Sequence, residues 1–108
     1  SRTYIGGFSQ GAMLTTDLIC ESDIRPKGVV LLSATLVNDE KWTAKMPNKK
    51  GLKFYQSHGE GDPILPFALA QRLYEKLEQS GWEGSFTSFR GGHEIPMNVI
   101  REVASFLQ

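Results

Sequence analysis

Gly7-Phe8-Ser9-Gln10-Gly11, with Thr3-Tyr4-Ile5 before it and Ala12-Met13-Leu14-Thr15-Thr16-Asp17-Leu18-Ile19 after it, decides how the chain is read. The first flank is strand-like and the second helix-like. G-x-S-x-G in that setting is the pattern of a nucleophile elbow, a sharp turn that holds its serine out at the tip. Glycine is expected at both 7 and 11, because the turn brings the strand and helix backbones together where a Cβ would clash. The Gln10 N–H falls in the first helical turn, where it has no intrahelical acceptor and can bind a developing oxyanion. A plainer reading makes Ser9 a helix N-cap in a glycine-rich turn. The side chains downstream decide between the two.

Outward from the elbow, the first helix should run from Gln10 to about Glu21. Met13, Leu14, Leu18, Ile19 and Cys20 leave it little polar face, so it is expected to be largely buried. Pro26-Lys27-Gly28 breaks the pattern, and Gly28-Val29-Val30-Leu31-Leu32 is a continuous apolar run of strand length, as in a strand covered on both faces. Leu36 to Gly51 is polar and irregular, with a short helical turn expected around Glu40–Lys45. Leu52–Ser57 reads as a third strand, and His58-Gly59-Glu60-Gly61-Asp62-Pro63 as a glycine-rich loop. A helix follows from Pro66 to about Ser80, with Phe67, Ala70, Leu73, Tyr74 and Leu77 on one face and Gly81 closing it. Glu83–Arg90 alternates as a fourth strand. Gly91-Gly92-His93-Glu94 is a loop, and Pro96 opens a last helix with Val99, Ile100, Val103, Phe106 and Leu107 as its apolar stripe. Strands alternating with helical patterns give an α/β fold: about four parallel strands, joined by right-handed crossovers, with helices packed on the sheet.

The bulk properties narrow the function. At 108 residues the chain is one domain's worth. Twelve Lys and Arg balance twelve Asp and Glu without a charged block, which argues against nucleic acid or an anionic membrane surface as the main partner. No stretch of 18 or more apolar residues marks a membrane span, and no charged start with an apolar run marks export. The one cysteine, Cys20, reads as a small buried hydrophobe and suits a reducing, cytoplasmic compartment. Ser1-Arg2 leads straight into a strand with no Met, cap or linker, so the chain reads as part of something longer.

A serine hydroxyl needs a base beside it and a third group to orient that base. In a parallel α/β sheet, the loops at the carboxyl ends of the strands share one rim. Three such loops carry suitable side chains: Ser9 after the first strand, Asp62 after the third and His93 after the fourth. The chain order Ser…Asp…His is that of α/β-hydrolases. Glu60 is the rival for Asp62 and His58 the rival for His93. Asp62 could also serve only to cap the turn into Pro63.

Gly6-Gly7-Phe8-Ser9-Gln10-Gly11-Ala12-Met13, Ser57-His58-Gly59-Glu60-Gly61-Asp62-Pro63 with Leu65-Pro66, and Gly92-His93-Glu94-Ile95 together resemble the phospholipase/carboxylesterase family of α/β-hydrolases, which includes the acyl-protein thioesterases. The resemblance covers essentially the whole chain, residues 1–108, and matches the C-terminal half of a single α/β-hydrolase domain. It implies an esterase or thioesterase acting on a small acyl ester or thioester, with Ser9 as nucleophile, His93 as general base and Asp62 as orienting acid. It implies no metal and no organic cofactor. Leu36, Trp42, Ile64 and Leu65 are candidates to line the acyl cleft, against the plainer reading that they pack. The resemblance also places further strands, and a loop with a second oxyanion N–H, before the elbow strand. On that basis the N-terminal strands and oxyanion loop are expected to be absent here, at a cost on the order of 10²–10³ in kcat for the lost donor. The second expectation is therefore an incomplete half-domain, whose Thr3–Phe8 edge pairs with a second copy of the chain or with an N-terminal fragment.

Overall fold

The computed structural model describes residues 3–35 and 39–108. β1 (Tyr4–Phe8), α1 (Gln10–Glu21), β2 (Gly28–Leu32), α2 (Asp39–Lys45), a 3₁₀ turn (Met46–Lys49), β3 (Lys53–Gly59), α3 (Phe67–Gln79), β4 (Glu83–Phe89) and α4 (Met97–Phe106) follow in order. The four strands form one parallel sheet in the order β1-β2-β3-β4. Phe8 pairs with Leu32, Leu32 with Ser57 and Ser57 with Thr87, so the carboxyl ends of all four strands meet along one rim.

The apolar run of β2 is buried because both of its faces are covered. On one side, Val29, Leu31 and Phe54 meet Ile19 of α1, Trp42 and Met46, and Leu73 and Leu77 of α3. On the other, Val30 and Tyr55 meet Val99 of α4, with Val103 and Phe106 packed against them. Glu102 ties α4 to the sheet by accepting from both Tyr55 Oη (2.7 Å) and Thr87 Oγ1 (2.6 Å). The indole N–H of Trp42 donates to Asp17 Oδ1 (3.1 Å) and that of Trp82 to the Met46 carbonyl (2.9 Å), so neither buried ring leaves a donor stranded. Burial also pushes the Cys20 thiol up to about 11, aided by the nearby Asp17 and Glu21 carboxylates, so it is an inert core group.

Two expectations change. Helix α1 is not largely buried, since Leu14 is 65 % and Leu18 44 % exposed. It lies close to the sheet through Ala12, Thr15, Thr16, Ile19 and Cys20. The two threonine hydroxyls donate back to Gly11 O (2.8 Å) and Ala12 O (3.0 Å), which hides their polarity and lets them pack as apolar groups. The buried face therefore turns away from the leucines. Strand β3 runs on through His58 and Gly59, where a loop was expected, and this carries the His58 ring into the interior. A further detail has no counterpart in the sequence pattern. Lys49 is buried, with Nζ donating to Ser22 O (2.9 Å) and Ile24 O (2.6 Å) where the chain leaves α1.

Candidate active site

Ser9 stands at the turn from β1 to α1 with φ 58° and ψ −120°, in the left-handed range that side chains rarely adopt. Its N–H donates to Leu32 O (2.7 Å) and its carbonyl accepts from Ala12 and Met13 (3.0 and 3.1 Å). The strained residue is thus fixed from both sides. Ala12 is the first helical N–H to bond back, which leaves the Gln10 N–H facing out of the helix end.

The two glycines of the elbow are not equivalent. A Cβ on Gly7 would lie 2.6 Å from Gly11 C, 2.7 Å from Gly11 O and 2.8 Å from Ala12 N, all backbone atoms. A Cβ on Gly11 would meet nothing within 4 Å, so the clash expected there is absent among the described residues. Gly7→Ala is expected to lower stability by about 2–3 kcal/mol or more and to displace Ser9. Gly11→Ala is expected to be neutral or stabilising, by up to about 1 kcal/mol, because it removes a glycine from a helix. Urea unfolding of the two variants side by side checks this; equal losses would count against it.

Asp62 lies in the loop after β3, which is stitched to the loop after β4. Glu60 N–H donates to Phe89 O and Gly61 N–H to Gly91 O, both at 2.9 Å. The Asp62 carboxylate is buried. Its Oδ1 accepts from the N–H groups of Ile64 (2.8 Å) and Leu65 (2.9 Å), and its Oδ2 from His93 Nδ1 (2.7 Å). Burial alone would raise its pKa, but the bonds from Leu65, His93 and Ile64 outweigh that and hold it below the usual carboxylate range. Glu60 is exposed and takes no part.

His93 closes the line, with Nε2 2.7 Å from Ser9 Oγ and the ring 4.8 Å from that of Phe8. Nδ1 faces a carboxylate and so carries the proton, which leaves Nε2 to accept the serine hydroxyl. The rival histidine, His58, is fully buried, with Nε2 2.7 Å from Leu65 O and 3.4 Å from Asp62 Oδ2.

A groove of about 420 Å³ is lined by Gln10, the residue after Ser9, with Met13, Leu14, Trp42 and Leu65, and by Asp17 and Lys41, whose charged atoms are 3.7 Å apart. Trp42 and Leu65 were singled out in the sequence; Trp42 is mainly a core residue that offers the groove one edge. Ile64 is 64 % exposed and Leu36 lies outside the described residues. Met13 and Leu14 escaped notice as lining residues because an apolar helix position reads first as core. A larger cavity, about 560 Å³, lies on the α4 face between Tyr55, Thr87, Glu102 and Phe106, apart from these three side chains. Among the described residues no group of three or more His, Cys, Asp or Glu is placed to hold a metal, and no helix is long and apolar enough to cross a membrane.

A family model described as phospholipase/carboxylesterase matches residues 1–108. Acyl-protein thioesterase 1 of Aspergillus fumigatus is 34% identical over 116 residues, which take in 100% of this chain and 47% of that protein. Its counterpart in Mycosarcoma maydis is 31% identical over 113 residues, with 99% and 47% covered. Among solved structures, esterase PE8 superposes with a TM-score of 0.86 at 25% identity, over 97% of this chain and 48% of that one. Arabidopsis thaliana SOBER1 superposes with a TM-score of 0.84 at 24% identity, over 96% and 50%. The chain spans about half the length of the curated relatives it matches.

Proposed function

This chain belongs to the phospholipase/carboxylesterase family of hydrolases, and from that premise we propose that it cleaves carboxylic esters or thioesters through an acyl-Ser9 intermediate. One observation carries the reading: Ser9, His93 and Asp62, from three separate loops, form a continuous hydrogen-bonded line with two links of 2.7 Å. In the first step His93 Nε2 takes the Ser9 hydroxyl proton as Oγ attacks the acyl carbonyl carbon. The carbonyl oxygen becomes an oxyanion facing the Gln10 N–H. Asp62 holds the Nδ1 proton and offsets the imidazolium charge. On collapse, the proton on Nε2 passes to the departing alcohol or thiol. Water, deprotonated by the same nitrogen, then attacks the acyl carbon and releases the acid and Ser9.

The groove between Met13, Leu14, Trp42 and Leu65 suits the acyl part of such a substrate, since its lining includes Gln10, the neighbour of Ser9, together with these four apolar side chains. A cytoplasmic site of action belongs to the same proposal, and Cys20, a free thiol buried in the core, fits a reducing compartment. The test is intact mass and peptide mapping after incubation with a fluorophosphonate. One adduct on the peptide holding Ser9 is expected. Labelling elsewhere, with Ser9 unmodified on a folded sample, would sink the proposal.

A second reading concerns partners. Among the described residues β1 pairs only with β2, so its outer edge offers open N–H and C=O groups. We propose that a further strand, from this protein or a second copy, adds to that edge.

A further inference from the structure

We propose that His58 is a positioning residue for Asp62: its Nε2–H bonds the Leu65 carbonyl and lies against Asp62 Oδ2, locking the carboxylate at the angle His93 needs. The proposal rests on the reading of Ser9, His93 and Asp62 given above. Its first support is accounting. The Leu65 carbonyl can only accept, so at 2.7 Å Nε2 must carry the proton. The same N–H has Asp62 Oδ2 3.4 Å away, on the oxygen that His93 uses. His58 therefore meets the acid twice. It flanks Oδ2 directly, and by fixing Leu65 it steadies the residue whose N–H holds Oδ1 at 2.9 Å.

The second support is the setting. His58 is 0 % exposed, and its ring lies 6.1 Å from that of Phe67. Its Nδ1 has no hydrogen-bond partner among the described residues. An apolar side chain of the same size would fill the space without leaving a buried nitrogen unpaired. The histidine is thus costly as filler, and what it supplies is one directed N–H at the Nε2 position. The loop it holds carries the buried carboxylate of a site whose geometry tolerates little error, since a shift of about 1 Å can cost on the order of 10²-fold in rate.

Three variants test this on the whole chain. The side-chain amide of His58→Gln reaches the Nε2 position and can still donate to Leu65 O. His58→Asn is polar but a methylene too short, and His58→Leu fills the space with no donor. Two signals are read: the low-field NMR resonance of the His93 Nδ1 proton, which reports its bond to Asp62, and the rate of fluorophosphonate addition at Ser9. His58→Gln is expected to keep the resonance and label within about 3-fold of the parent. His58→Asn and His58→Leu should lose or broaden the resonance and label roughly 10–100-fold more slowly. If His58→Leu fails to fold, the Gln–Asn pair still decides.

The proposal is overturned if Asn and Leu keep the resonance and the rate. It is equally overturned if Gln falls as far as Leu, which would make His58 a packing residue only. Asp62→Asn serves as the control for the premise. Should it label like the parent, the role of Asp62 itself is wrong, a failure distinct from that of His58.

Discussion

Ser9→Ala is expected to abolish fluorophosphonate labelling and to lower ester hydrolysis by about 10⁶-fold, the scale seen when a serine nucleophile is lost from a working triad. On the mechanism proposed above, the three side chains share one reaction. His93 Nε2 has a proton to accept only because Ser9 Oγ is 2.7 Å away, and Asp62 acts only through His93. Removing any member strands the others, so the losses do not add. His93→Ala should fall to the same floor as Ser9→Ala, and the double variant should fall no further. Asp62→Asn should retain the fold and lose about 10⁴-fold, because the amide favours the wrong imidazole tautomer. Single-turnover acylation by an activated thioester measures all four against the parent. A Ser9→Ala chain with more than a tenth of the parent rate would refute the acyl-Ser9 route. A double variant whose loss equals the product of the two singles would refute the concerted arrangement.

Gly59→Ala is expected to cost about 3 kcal/mol or more in stability and at least 10²-fold in rate. A Cβ here would be driven into the carbonyl oxygen of Gly92, nearer than any real contact, and would sit 2.6 Å from that of Gly91. Both obstacles are backbone, so no rotamer change relieves them. The only relief is to part the two loops, which breaks the Glu60–Phe89 and Gly61–Gly91 hydrogen bonds and moves Asp62 away from His93. Gly92→Ala is the matched control, since its Cβ would meet only Pro63 Cδ at an ordinary 3.6 Å. It should unfold within about 1 kcal/mol of the parent. Urea melts of the two, with labelling rates at Ser9, decide the matter. A stable, fast-labelling Gly59→Ala chain would show that the loops can separate without harm.

The alternating order of strands and helices could be read because each element carries its own period. α3 shows Ala70, Leu73 and Leu77 on one face, and β2 is apolar throughout because both its faces are covered. The meeting of Ser9, Asp62 and His93 could be anticipated because elbow, acid loop and histidine loop each follow a strand and so fall on one rim. What escaped the reading was set by contacts between distant segments. The exposure of Leu14 and Leu18 follows from threonines that bury their hydroxyls against their own helix. Gly11 matches the motif without needing to be glycine for the space around it. The burial of Lys49 depends on carbonyls 25 and 27 residues away. His58 belongs to the same group, since nothing in Ser57-His58-Gly59 shows that its nitrogen will meet the Leu65 carbonyl.

The link between Ser9 and His93 spans 84 residues, and the strands lie side by side in the order in which they are made. Each parallel step waits on a long crossover, which makes such sheets slower to assemble than hairpin folds. On the ribosome, therefore, β1, β2 and β3 can stack in turn while the serine at the elbow has no base to activate it. On the proposed mechanism Ser9 gains its base only when β4 docks and brings His93 beside it, so during synthesis the nucleophile stays dormant until the segment carrying His93 has emerged.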